Sequence, residues 1–159
     1  MSLRLRRLID ADLDAVFEWE RDPVAVQLAA FTRDDPSNRE TFDAHYRKIR
    51  SDESNTLLAV EIDGCLVGTI SSFTIEGDRE VSYWIDPARW GEGLATSALA
   101  ALLAIETTRP LFARVAEHNV GSAKVLDRAG FVRIGSETSY ANGIGRHITE
   151  HIYQLVALT

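Results

Sequence analysis

The segment Trp90-Gly91-Glu92-Gly93-Leu94-Ala95-Thr96 has the residue types of a phosphate cradle. Two glycines one residue apart, then a small residue and a hydroxyl, suit a turn that enters a helix. The first amides of a helix lack internal hydrogen-bond partners and carry partial positive charge, so they bind phosphate. Glycine at 91 and 93 leaves room for close approach, Ala95 stays small for the same reason, and Thr96 adds a hydroxyl donor. A Walker loop would need a lysine after its last glycine, and none is present. A dinucleotide fingerprint would need a third glycine where Thr96 stands. Taken alone, the segment is equally well a sharp strand-to-helix turn.

A second pattern follows: Asn119-x-x-Ser122-x-x-Val125-Leu126-x-x-x-Gly130-Phe131. Asn119 is a good helix N-cap and Gly130 a good C-terminal stop. Ser122 is either an ordinary first-turn residue or a hydroxyl aimed at a ligand. The histidines offer less. His147 and His151 would lie in a strand, about 13 Å apart at roughly 3.3 Å per residue, too far to share a metal. His45 and His118 read as isolated surface residues.

The elements that must carry these patterns are legible from periodicity. Residues 2–9 alternate as a strand. Asp10 or Asp12 caps a helix with Leu13, Val16 and Phe17 inward, and Asp22-Pro23 starts another with Val24, Leu28 and Phe31 inward. Ser37 with Glu40 forms a capping-box pattern before Phe42, Tyr46 and Ile49. Strands follow over residues 55–62, 65–75 and 79–85, with turns at Asp63-Gly64 and Glu76-Gly77-Asp78. A long helix is expected over residues 91–107, a strand over 111–116, and a helix from Asn119 to Gly130. A last hairpin covers 131–140 and 146–157 around the Asn142-Gly143 turn. The order is β-α-α-α-β-β-β-α-β-α-β-β, a mixed α/β sheet in a single domain over residues 1–159.

The totals set limits. A chain of 159 residues with 45% hydrophobic and 26% charged residues has the make-up of a globular domain. The formal net charge of −7 argues against nucleic acid and is compatible with a cationic partner. Cys65, the one cysteine, has no internal partner and reads as a buried strand thiol in a reducing compartment. Asp10 and Asp12 follow Arg4, Arg6 and Arg7 where an apolar signal core would stand, and no apolar run is long enough to span a membrane. A cytoplasmic location is the expectation.

Two motifs at this separation, in this element order, make the chain resemble the GNAT acetyltransferases. The texture Glu80-Val81-Ser82-Tyr83-Trp84-Ile85-Asp86-Pro87 resembles the branch that acetylates N-termini of ribosomal proteins. Trp90 stands where the wider family has Gln or Arg, and Ser82 where that branch has glycine. The resemblance implies a central, mostly antiparallel sheet of about seven strands flanked by helices. It implies acetyl-CoA as cosubstrate, no metal, and direct transfer to a primary amine on a small molecule or a peptide N-terminus. A homodimer paired through the last strands is also compatible with it, as is a domain that holds acyl-CoA without turnover.

The resemblance also assigns residues. Arg89, Trp90, Gly91, Glu92, Gly93, Leu94, Ala95 and Thr96 would hold the pyrophosphate. Backbone groups at Trp84 and Ile85 would pair with the pantetheine arm and acetyl oxygen in a gap between the strands over 79–85 and 111–116. Asn119 would bond the arm and Ser122 would donate to the leaving sulfur. Glu80 is the first candidate for general base and Glu117 the second. Tyr83 and Tyr140 are candidate acids or packing aromatics. Arg89, Lys124 and Arg128 are candidate partners of the CoA 3′-phosphate.

Overall fold

The computed structural model describes residues 2–157, so the outer limits expected at 1 and 159 lie outside it. The element order is the expected one. Strand β1 (Leu3–Arg7) leads into a short 3-10 turn (Asp10–Asp12) and three helices, α1 (Leu13–Glu20), α2 (Pro23–Ala29) and α3 (Arg39–Ser51). The strands β2 (Thr56–Ile62), β3 (Cys65–Ile75) and β4 (Asp78–Ile85) form a meander. Then come helix α4 (Leu94–Leu103), β5 (Leu111–Ala116), α5 (Val120–Arg128), β6 (Val132–Ala141) and β7 (Arg146–Leu155).

The seven strands form one sheet in the order β1-β2-β3-β4-β5-β7-β6. All neighbours are antiparallel except β4 and β5. Alternation along the strands divides the core between the sheet's faces. Val81, Ile85, Ala113, Val115 and Tyr153 face α4 and α5, where Leu99, Leu102 and Leu126 are almost fully buried. On the other face, Val16, Phe17, Phe42 and Tyr46 of α1 and α3 pack over Ala59 and Trp84.

Several local expectations differ from the structure. Asp12 does not cap α1. Its carboxylate instead accepts from both terminal nitrogens of Arg6 at 2.8 Å and from the Ile9 amide. The cap of α3 falls on Asn38, whose side chain accepts from the Thr41 amide, rather than on Ser37. Val24 points outward, and α2 buries Ala25 and Val26 instead. Cys65 is exposed, because it opens β3 at the tip of the β2–β3 hairpin, beyond the cover of either helical layer. Helix α4 is shorter than expected, since Gly91 and Gly93 both take positive φ and cannot belong to it.

Candidate active site

Strands β4 and β5 pair at only two positions, Arg79 with Leu111 and Glu80 with Phe112. Beyond Glu80 they part. The closed end is pinned by Arg79, which bonds Glu106 at 2.9 Å and also reaches the Ser54 carbonyl and the Ser72 hydroxyl. The open end is flanked by the N-termini of α4 and α5. A parallel pair that loses its hydrogen bonds leaves strand amides and carbonyls free to meet a ligand.

A cavity of about 560 Å3 lies at that open end. From β4 it is lined by Tyr83, Trp84 and Ile85, and from the following turn and α4 by Arg89, Trp90, Gly91, Gly93, Leu94, Ala95 and Thr96. Helix α5 supplies Ser122, Val125 and, at its end, Arg128, with Asn119 as its cap and His118 just before it, and α2 closes the wall with Ala25, Leu28 and Ala29. Gly93 caps α4 without any side-chain hydrogen bond, so the first amides of α4 are free. A Cβ built on Gly91 or Gly93 would meet nothing within 4 Å, so the space beside both glycines is open. The cradle therefore fits a diphosphate.

Not every expected member joins the cavity. Glu92 is turned aside and pairs with Arg89 at 2.9 Å, which offsets a carboxylate placed beside an anion site. Arg128 lines the cavity; Lys124, one helical step away, is exposed and does not. The Ile85 carbonyl already accepts from the Trp90 indole at 3.0 Å, which ties the turn to the end of β4. That bond gives Trp90 a structural role that the sequence does not reveal.

A second cavity of about 320 Å3 lies beside the first. Its walls include Phe73, Ile75, Glu80, Ser82, Arg114, Glu150 and Phe31. Ala29, Tyr83, Trp84, Asn119 and Ser122 line both cavities, so the two meet at this neck. At the neck, the Tyr83 and Ser122 hydroxyls lie 2.7 Å apart, and the Asn119 side chain accepts from the Ser122 amide at 3.2 Å. Burial pushes the Tyr83 phenol up to about 12. It is therefore neutral and able to donate. The Trp84 indole N–H is buried without a hydrogen-bond partner in the described structure.

The second cavity is acidic. Glu80 is only 8% exposed, and its carboxylate accepts no hydrogen bond among the described residues, the cation beside it being Arg114 at 3.8 Å. Arg114 also contacts Glu137 at 3.0 Å and Glu150 at 3.3 Å. Three carboxylates thus surround one guanidinium. Burial raises the Glu80 pKa above the ordinary carboxylate value; Arg114 opposes this and Glu150 adds to it. Glu150 is raised as well, again chiefly by burial. Glu117 and Tyr140 are exposed and line neither cavity. Periodicity alone does not mark Arg114; the signal in the sequence is a lone arginine within the otherwise apolar strand Leu111-Phe112-Ala113-Arg114-Val115-Ala116.

Among the described residues no helix is long and apolar enough to cross a membrane. Nor is any group of three or more His, Cys, Asp or Glu residues among them placed to hold a metal ion.

Comparison with known proteins bears on this geometry. A family model, the acetyltransferase (GNAT) domain, matches residues 2–132. No curated protein matches the sequence. Among solved structures, a spermidine N-acetyltransferase from Vibrio cholerae in complex with CoA and spermine shares 20% identity at a TM-score of 0.82, covering 97% of this chain and 95% of that one. A ribosomal-protein-alanine N-acetyltransferase from Brucella melitensis shares 22% identity at a TM-score of 0.74, over 97% and 99% of the two chains. A phosphinothricin acetyltransferase from Sinorhizobium meliloti in complex with acetyl-CoA shares 18% identity at a TM-score of 0.80, over 98% and 89%. These likenesses establish a shared fold, and the family match covers well over half of the sequence: the chain belongs to the GNAT acetyltransferases.

Proposed function

We propose that this protein transfers the acetyl group of acetyl-CoA to a primary amine that enters as a cation through the Glu80 cavity. The observation that carries this reading is the neck at Tyr83 and Ser122, which joins a phosphate cradle to a carboxylate-lined chamber. Acetyl-CoA supplies an activated thioester. The α4 amides and Arg128 hold its phosphates, and the parted edges of β4 and β5 receive the pantetheine arm. Glu80 accepts the proton of the ammonium, directly or through water, so that the nitrogen can attack. Ser122 donates to the departing sulfur, with its hydroxyl oriented by Tyr83 and its helix start fixed by Asn119. Alignment across the neck can supply several kcal/mol of the rate enhancement.

The chamber's charge favours some acceptors over others. Excess carboxylate around Arg114 suits an amine with cationic or neutral surroundings and opposes one that carries a nearby carboxylate or phosphinate. Spermine in the Vibrio structure is an acceptor-like molecule of the first kind. The test is free-thiol release from acetyl-CoA across aliphatic diamines, peptide N-termini and acidic amino acids. Turnover with the cationic group supports the proposal. Turnover confined to the acidic amino acids would overturn the acceptor assignment. Tight CoA binding with no turnover across the panel would instead favour a domain that holds acyl-CoA without catalysis.

A further inference from the structure

The glycine of the Asn142-Gly143 pair does not serve the turn that its sequence suggests. Strands β6 and β7 close at Ala141 and Arg146, leaving a four-residue connection in which Gly145, not Gly143, takes positive φ (+79°). Gly143 is instead a point of close approach. A Cβ at 143 would lie 2.5 Å from the Val26 carbonyl oxygen, 2.9 Å from that of Ala30 and 3.1 Å from the Thr32 hydroxyl. The Gly143 amide donates to the Ala30 carbonyl at 2.7 Å, and the Asn142 side chain donates to the Thr32 carbonyl at 3.1 Å. Beneath them Ala30, Ala116 and Ala141 are buried together with Ile148, so small residues let the hairpin tip sit directly on the end of α2.

The segment held in this way walls the reaction path. Ala29 lines both cavities, and Phe31 lines the acidic one. The geometry points to Gly143 as a positioning residue for acetyl transfer: by seating the hairpin tip against residues 26–32, it fixes the α2 wall and thereby the width of the acceptor chamber at Ala29 and Phe31. This inference rests on the reading that the acceptor enters through that chamber. Ordinary contact at Cβ begins near 3.4 Å, so Gly143→Ala would push the wall back by roughly 0.9 Å, the difference from 2.5 Å. A misplacement of about 1 Å can cost up to about 100-fold in rate. Since the backbone at 143 lies outside the left-handed region, the alanine is not strained in itself and the perturbation acts on the wall.

The experiment compares wild type, Gly143→Ala and Gly145→Ala. Gly145 has the left-handed φ but open space around it, so Gly145→Ala strains the same turn without pushing the wall. Three quantities are read: kcat and KM for the best amine of the panel, the CoA Kd by calorimetry, and amide hydrogen exchange over residues 27–32. Gly143→Ala should lower kcat/KM for the amine by about 10-fold or more, weaken CoA binding by less than that although Ala25, Leu28 and Ala29 of the same wall also line the CoA cavity, and speed exchange in the wall. Gly145→Ala should lower the melting temperature while leaving kcat/KM and wall exchange near wild type. Equal losses of kcat/KM in the two variants, or unchanged wall exchange in Gly143→Ala, would overturn the inference. If Gly143→Ala does not fold, Asn142→Ala gives a weaker form of the same test, with a several-fold loss in kcat/KM and faster wall exchange expected and no change in either overturning it. Hydrogen exchange reads the wall without turnover, so failure of the clamp is distinguishable from failure of the acetyltransferase reading, which would appear as an inactive wild type.

Discussion

Arg114 gives the most quantitative handle on the proposed base. Its Nε stands 3.8 Å from a Glu80 carboxylate oxygen. At that separation two unit charges interact by about 1 kcal/mol in water and about 4 kcal/mol at an effective dielectric constant near 20. The Arg114 side chain is 35% exposed, which places the interaction toward the lower end, about 1–2 kcal/mol. Each 1.36 kcal/mol corresponds to roughly one pKa unit. The sign is fixed: a nearby cation favours the ionised carboxylate, so its removal raises the Glu80 pKa further. Loss of Arg114 also leaves Glu137 and Glu150 without their shared partner, and their charge acts in the same direction. A base must be ionised to work, so activity falls as pH drops through its pKa. Arg114→Met should therefore move the acid limb of the kcat/KM profile upward by about one pH unit or more, and added salt should reduce the difference between the two proteins. The assay is thiol release at saturating acetyl-CoA over a pH series, each protein scaled to its own plateau, with Glu80→Gln as the variant that should lose the limb. A limb that stays in place or moves downward, or one that survives in Glu80→Gln, would rule out Glu80 as the base.

Other outcomes follow from the same geometry. Ser122→Ala should lower kcat by about 10-fold while changing the CoA Kd by less than threefold, because its hydroxyl bond to sulfur strengthens only as charge develops; rapid-mix kinetics with calorimetry separates the two. Arg128→Ala should weaken CoA binding by about 10-fold and leave dephospho-CoA binding unchanged, whereas Lys124→Ala should alter neither. Gly93→Val should weaken CoA binding and also lower the melting temperature, since a β-branched residue at φ +75° is strained by roughly 1–2 kcal/mol. Asp12→Ala should cost about 1–2 kcal/mol in urea denaturation, because Arg6 loses two hydrogen bonds to the Asp12 carboxylate while keeping Glu61 as a partner. The Asp12 carboxyl is held below its ordinary range chiefly by Arg6, so the stability that it contributes is present above the unfolded pKa and lost as pH falls through the folded one.

The strands and helices were legible because their signals are local. Asp63-Gly64, both at positive φ, marks the β2–β3 hairpin. Asn119 marks the start of α5 through its own side-chain cap. The glycine segment and the Asn119–Ser122 spacing pointed to one pocket because both lie at helix starts that the sheet brings side by side. What the sequence does not carry is contact between distant segments. The Tyr83–Ser122 bond spans 39 residues, and the Asn142–Thr32 bond spans 110. Glycine next to asparagine looks like turn chemistry whether its missing Cβ serves the turn or a neighbouring wall. Periodicity likewise misplaced Val24, since in so short a helix one apolar residue more or less does not define a face. Charge partners were equally hidden: Glu92 reads as a member of the cradle until Arg89 is seen to draw it aside.

In the proposed reaction path the two cavities act together, with a phosphate cradle on one side and an amine chamber on the other. The most direct test is the rate of CoA release from acetyl-CoA, measured with and without a cationic primary amine in wild type and Glu80→Gln. Amine-dependent release and an N-acetylated product by mass spectrometry are expected, with Glu80→Gln at least 10-fold slower yet binding CoA as tightly. Amine-dependent acetylation at the wild-type rate in Glu80→Gln, or thiol release that no amine accelerates, would contradict that path.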